Sequence, residues 1–310
     1  MKMEAFKMEQ WEQVNAVQNM LDYIRQHLNE PITLKELSRQ AGYSPFHSAK
    51  LFKEHVGKAP FEYIRTLRLS QAALKLRDEK VRVLDVAMDF VFDSHEGFTR
   101  AFSKEFGITP HKYSKNPPPI KLFMPVSVRD EYLFFQRGGV SMERKSTGLT
   151  MSTVFVQVIE RPGRKLILKR GKNARDYFEY CQEVDCDIWG LLLSVKEALY
   201  EPAGLWLPDR FRPAGTSRYV QGVEVPADYD GTVPVGLEII DLPACSMMVF
   251  QGPPFENDDF FDAIADLMDL IDGYQPELYG YRWADGDAPR FQLEPQPYRG
   301  YIEARPVRHI

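Results

Sequence analysis

The chain has 310 residues, 39 Lys+Arg against 44 Asp+Glu, 44% hydrophobic residues and three cysteines. That length suits two or three domains, and the composition excludes a fibrous or wholly disordered chain. No apolar run is long enough for a bilayer and the start, MKMEAFKMEQWEQ, lacks a signal-peptide core, so a cytoplasmic protein with no membrane partner is expected.

Charge and punctuation divide the sequence. Residues 1–116 carry 18 Lys+Arg, 15 Asp+Glu and five of the six histidines, whereas the remainder carries 21 and 29. A mildly basic part joined to an acidic one points to different partners, the first a polyanion. Asn116-Pro117-Pro118-Pro119 cannot continue a helix. Three segments are therefore expected: a helical domain over 1–116, a linker over 117–150 whose second half (RGGVSMERKSTG) is polar and flexible, and a second domain over 151–310. Cys181, Cys186 and Cys245 are odd in number and lack metal-ligand spacing, so neither a disulfide framework nor a metal site is expected, and no cofactor motif is present.

The first part contains a repeat. YSPFHSAKLFKEHVGKAPFEY (43–63) and DSHEGFTRAFSKEFGITPHKY (93–113) align at a shift of 50, matching Ser44 with Ser94, Phe52 with Phe102, Gly57 with Gly107, Pro60 with Pro110 and Tyr63 with Tyr113. Such self-similarity marks duplicated supersecondary units. In the first, over about 31–57, Thr33 caps a short helix with Leu34, Leu37 and Ala41 on its buried face. Gly42 ends it, and Ser44 with Pro45 opens a second helix whose Ala49, Phe52 and Val56 face inward. In the second, over about 83–107, Leu84, Ala87 and Met88 form the first apolar face, Ser94 caps, and Phe98, Ala101, Phe102 and Phe106 form the inner stripe. Each unit has the helix-turn-helix pattern. A longer helix with apolar positions at Phe61, Ile64, Leu67, Ala72 and Leu76 joins them, holding the units about one DNA turn, ~34 Å, apart.

Three stretches, AGYSPFHSAKLFK, IRTLRLSQAALKLR and FDSHEGFTRAFSKEFGITPHKY, make residues 16–116 resemble the DNA-binding domain of the AraC/XylS family of transcriptional regulators. The resemblance extends to the subgroup that carries this domain first and an effector domain second. It implies double-stranded DNA as partner, with RNA polymerase beside it. The outward residues are Phe46, His47, Lys50 and Lys53 on the first recognition helix and His95, Glu96, Thr99 and Arg100 on the second, with Ser94 at its cap. Carry-over from the family favours Phe46, Lys50, His95, Glu96 and Arg100 for reading bases. An Arg can grip guanine with two hydrogen bonds and Lys50 cannot, so Arg100 leads. Its alternative is an ion pair with Glu96, and that of Phe46 is a core position. The family's usual Gly-Phe is Val91-Phe92 here, so the second turn is expected to avoid a positive φ at 91.

In the second part, VFVQVIE and KLILKR read as strands separated by a tight Arg161-Pro162-Gly163 connection. ARDYFEYCQEVDCDIWGLLLSVKEALY reads as helical, with a stripe through Tyr177, Trp189, Leu192, Val195 and Leu199. YVQGVEV, GLEIIDLP, SMMVFQG, RFQLEP and YIEARPV read as strands and NDDFFDAIADLMDLID as an amphipathic helix, giving an α+β domain with a mainly antiparallel sheet. No catalytic constellation is present, and His309 is the sole histidine after residue 116. Trp206, Tyr219, Tyr281 and Trp283 lie among carboxylates that include Glu224, Glu238, Glu294 and Glu303, the makings of a pocket for an organic cation. TSRYVQGVEVP, GLEIIDLPACSMMVFQG and YIEARPV resemble the GyrI-like effector-binding domain. That resemblance implies a central cleft holding a cationic or amphiphilic aromatic compound against an acidic residue: Glu294 first, then Glu238 and Glu224, each with a surface-charge alternative. A competing reading makes the domain a hydrolase or sequestering module for an electrophilic ligand, although no nucleophile–base pair supports it.

Overall fold

A long helix, α1 (Lys2–Gln26), precedes two matched triplets: α2 (Leu34–Ala41), α3 (Pro45–Val56) and α4 (Pro60–Asp78), then α5 (Val83–Asp89), α6 (His95–Phe106) and α7 (Pro110–Lys115). The computed structural model describes residues 2–125, 127–129, 132, 149–184, 188–256 and 259–310. The chain divides into two compact units. One runs through Pro118 and resumes with the described residues from Leu122 to Tyr132. The other takes Pro119–Lys121 and the described residues from 149 onward.

The repeat is visible in the element boundaries, since α6 and α7 begin 50 residues after α3 and α4. Caps set those starts. Thr33 and Glu36 exchange hydrogen bonds in a capping box, Ser44 Oγ accepts from His47 N at 3.3 Å, and Ser94 Oγ accepts from Gly97 N at 3.0 Å. Gly57 and Gly107 close α3 and α6 in the left-handed conformation. Val14, Val17, Met20, Leu21 and Ile24 of α1 pack on Leu37, Ala41, Leu51 and Phe52, and on Tyr63, Ile64 and Leu67 of α4. In the second repeat Phe98 and Phe102 are fully buried, with Phe102 5.6 Å from Tyr113 and 4.8 Å from Phe106.

Several expectations are corrected here. On α5 the buried residues are Val86 and Ala87, while Leu84 and Met88 are exposed, as is Phe61 on α4. A helix of seven residues buries a narrower face than its apolar positions allow. Val91 has φ 60°. It takes the place that Gly42 holds in the first repeat, and Val91 N and Phe92 N donate back to Met88 O and Ala87 O, the paired hydrogen bonds of a Schellman turn. Those hydrogen bonds outweigh the strain of a β-branched residue in this region. The stretch expected as a linker does not form one spacer. Leu122 and Val128 are buried, Phe123 N donates to Ser70 Oγ at 2.7 Å, and Arg129 Nε donates to Asn15 Oδ1 at 3.0 Å, all within the first unit. The polar stretch over 137–148 lies outside the described residues.

The second unit is one antiparallel sheet in the order β1-β6-β9-β8-β3-β4-β2-β5, with β7 also on β9. Its strands are β1 (Phe155–Arg161), β2 (Arg164–Arg170), β3 (Ala203–Trp206), β4 (Tyr219–Pro226), β5 (Glu238–Leu242), β6 (Cys245–Gln251), β7 (Tyr281–Trp283), β8 (Arg290–Leu293) and β9 (Ile302–His309). β3 and β7, only four and three residues long, carry no strand signal of their own in the sequence. β1 and β2 do not form a hairpin: β1 pairs with β6, and β2 with β4 and β5. Period-two alternation separates the two faces. Leu166, Leu168, Leu205, Val220, Met247, Val249 and Phe291 share one core. On the other face, α8 (Tyr177–Val184) and α9 (Ile188–Leu193) cover β2 and β4 through Tyr180, Ile188 and Leu192. There α10 (Phe260–Asp272) packs Leu267 and Ile271 over Met248, Phe250 and Val307. Of the expected helical stripe Leu192 and Val195 are buried, whereas Tyr177 and Leu199 are exposed. Cys181 is disulfide-bonded, contrary to expectation, and Cys245 is free; Cys186 lies outside the described residues.

Candidate nucleic-acid interface and effector site

The two recognition helices place their residues in matching positions. Lys50 and Arg100 stand six residues after the capping serines Ser44 and Ser94, and both are exposed. Lys50 holds a loose ion pair with Glu54 at 3.7 Å, both side chains exposed, worth well under about 1 kcal/mol and easily exchanged. Among the described residues Arg100 has no ion pair, with Glu96 or otherwise, and neither has Lys53. Phe46 is 83% exposed and so is not a core residue. His47 stands edge-on to Tyr43 at 4.8 Å, and His95 and Glu96 are exposed in the first turn of α6. Two residues depart from the expected outward set. The Thr99 hydroxyl is buried without a hydrogen-bond partner, and Ser94 Oγ is occupied by its capping bond. The helix α4 between the repeats spans 19 residues, about 28 Å at the helical rise.

On the helix-covered face of the second unit the middle strands β4, β3, β8 and β9 carry a row of aromatic and polar side chains, of which Tyr219, Tyr301 and Glu303 are buried rather than open to a central cleft. Their registers bring Trp206 opposite both Tyr219 and Arg290, and Gln292 opposite Glu303. The Trp206 and Tyr219 rings meet edge-on at 5.0 Å, and the Arg290 guanidinium lies 4.3 Å from the Trp206 ring. Gln292 Nε2 donates to Tyr219 Oη at 3.2 Å. The Tyr301 hydroxyl faces Gln292 Oε1 at 2.8 Å and Glu303 Oε2 at 3.2 Å. Burial raises the pKa of both phenols, so they remain neutral hydrogen-bonding groups. Gly204 permits this packing: a Cβ there would collide with Tyr219 Oη and come within 2.8 Å of its Cζ. Above the strands Phe178 of α8 and Phe261 of α10 stack at 6.0 Å.

The carboxylate beside these rings is Glu303, 0% exposed, ion-paired with Arg290 Nη2 at 2.7 Å and Arg305 Nε at 2.8 Å. The three favoured glutamates lie elsewhere. Glu294 is exposed beyond the end of β8. Glu238 is on the edge strand β5 and pairs with Arg170 at 3.0 Å. Glu224 is buried on the face opposite Tyr219, between Arg161 Nη1 at 2.5 Å and Arg164 Nε at 2.8 Å. Of the four expected aromatics, Trp206 and Tyr219 meet on this face of the sheet. Trp283 packs near Phe250 and Tyr274, and Tyr281 against His309. The alternation Tyr301-x-Glu303-x-Arg305 was the available signal, since period two puts these three on one face. No cluster of metal-ligating groups occurs among the described residues, and no described helix is long and apolar enough to cross a membrane.

Fold and site together define a protein with two helix-turn-helix units in tandem, followed by a separate antiparallel α+β unit. Residues 37–116 match the family described as "Helix-turn-helix domain". The "Right origin-binding protein" of Escherichia coli is 37% identical over 119 residues, covering 36% of this chain and 41% of that protein. The "Multiple antibiotic resistance protein MarA" of Escherichia coli is 33% identical over 98 residues, covering 32% of this chain and 77% of MarA. Among solved structures, the DNA-binding domain of AdpA in complex with a target DNA is 24% identical, covering 33% of this chain and 91% of that one, with a TM-score of 0.31. The chain thus spans less than half the length of the Right origin-binding protein, and the residues matched by the helix-turn-helix family lie within the first unit. The chain belongs to the AraC/XylS family of transcriptional regulators.

Proposed function

We propose that this protein is a sequence-specific DNA-binding regulator whose first unit reads double-stranded DNA with α3 and α6 and whose second unit binds a small-molecule effector. The observation that carries the reading is the matched placement of Lys50 and Arg100, each exposed on the second helix of its repeat. Two such helices in one chain suit two major-groove segments, so a monomer can engage a bipartite site. Phe46 is available to a thymine methyl, and His47, His95 and Glu96 to base edges. Lys53 and the start of α3 face phosphate. Thr99 and Ser94 act in packing and capping. RNA polymerase is the protein partner that family membership supports, and the cytoplasm is the place of action.

The second unit's reading as an effector domain of GyrI-like type rests on its antiparallel α+β sheet and on Trp206, which is partly exposed over the buried Tyr219 ring. An amphiphilic aromatic compound would meet the Trp206 ring. A cation reaching Glu303 has to compete with Arg290 and Arg305, so opposite charge alone is a weak attraction. A ligand acts on DNA binding only through different affinity for two states of the protein.

The DNA reading is tested with Arg100→Ala against a binding site selected from random duplexes. Affinity for the preferred sequence should fall by about 1–3 kcal/mol, with preference relaxed at one base pair. Unchanged affinity and preference would remove Arg100 from the interface.

A further inference from the structure

On the far side of Trp206 from the buried core, the loop after β2, the end of β3 and the segment entering β4 enclose a groove of about 760 Å³. Its charged lining is Lys172, Arg175, Arg212, Arg218 and Arg290 against Asp209 alone. Three of these cations are already paired: Arg175 with Glu179 at 3.0 Å, Arg212 with Asp209 at 2.6 Å and Arg290 with Glu303 at 2.7 Å. Lys172 and Arg218 are exposed and have no ion pair among the described residues. The Arg290 Nε donor is buried with no hydrogen-bond partner. This groove is therefore positive within a part of the chain whose overall charge is negative.

The carboxylates show the reverse. Glu224 is held by two arginines, Glu238 by Arg170, and Glu303 by Arg290 and Arg305. A cation would have to break one of these pairs, whereas an anion meets cations that have nothing else to bind. The groove's volume is that of a small-molecule site, and the Trp206 ring in its wall suits an aromatic body.

We propose that the groove seats the anionic group of an aromatic carboxylate or sulfonate, a reading that rests on effector binding by this unit and assigns the effector a negative charge. Lys172 and Arg218 supply the charge and Trp206 the apolar contact. The sign is opposite to the cation that the aromatic and acidic composition suggests.

The test is calorimetric titration of the full chain with three probes of one shape: 2-naphthalenesulfonate, 2-naphthylmethanol and 2-naphthylmethylammonium. The sulfonate should bind at least about tenfold more tightly than the other two, and the preference should shrink with added salt. The double variant Lys172→Glu/Arg218→Glu, at two exposed positions, should lose at least about tenfold in sulfonate affinity with an unchanged circular dichroism spectrum. Sulfonate binding that survives the double variant would overturn the groove. Tighter binding of the ammonium probe would overturn the charge assignment and leave effector binding standing, whereas no binding of any probe would count against both.

Discussion

At Tyr113 a single oxygen carries a measurable consequence. The ring is buried against Phe102, but its hydroxyl has no hydrogen-bond partner, and burial pushes its pKa up to about 12 from 10.0. The unfolded chain releases this proton near pH 10 and the folded one near pH 12. The tyrosine's stabilisation is thus complete below pH 10 and is lost as pH rises between those values. Tyr113→Phe removes that sensitivity. It also relieves an unpaired polar group, so the variant should be more stable at pH 7 by up to about 1 kcal/mol in denaturant titrations. A loss of stability at pH 7 would show that the hydroxyl has a partner. Glu303 owes its burial to the whole sheet in a related way. Tyr, Glu and Arg types were legible as pocket material, but which glutamate is buried depends on which strand sits mid-sheet, and strand order is a property of the whole unit.

Among the elements, the two turns inside the repeats give the sharpest contrast. Gly42 and Val91 occupy the same conformation at φ 72° and 60°, but valine there costs about 1–2 kcal/mol that glycine does not. Val91→Gly should stabilise the protein by about 1 kcal/mol net of glycine's added unfolded-state entropy, readable as an upward shift in thermal midpoint. No gain would mean that the valine methyls repay the strain by packing. The residue type at this turn, taken alone, argues against a positive φ. The Schellman hydrogen bonds to Ala87 and Met88, which decide otherwise, depend on where α5 ends. Caps and periodicity were legible because they act within one or two turns: Thr33, Ser44, Ser94, Gly57 and Gly107 all do what their residue types predict. The short strands β3 and β7 were not, because they owe their conformation to neighbours rather than to their own composition. Leu84 and Met88 were assigned to the buried face for a like reason, since an apolar position on a short helix does not say which flank the rest of the unit will cover.

For the molecule as a whole, the triple proline marked a change in the chain but not the edge of a unit. Leu122 and Val128 are buried in the first unit after the chain has already contributed Pro119–Lys121 to the second. A fragment ending at residue 116 therefore exposes the surfaces that these side chains cover. It should be less stable than a fragment ending at 132 by at least about 3 kcal/mol, given about 1.5–3 kcal/mol for each fully buried aliphatic side chain. Matched thermal melts of the two fragments measure this directly, and equal midpoints would show that the returning segment adds no stability.

The same threading limits how the chain can be recombined. Ile120 is buried in the second unit, where its N–H donates to Ser194 Oγ at 2.9 Å, yet it lies between two stretches that belong to the first. A chimera that spliced this reader to a foreign sensor at the prolines would strip one unit of its closing segment and leave Ser194 without its amide. The two units alternate along the chain, and a working exchange has to carry residues 117–132 in one piece.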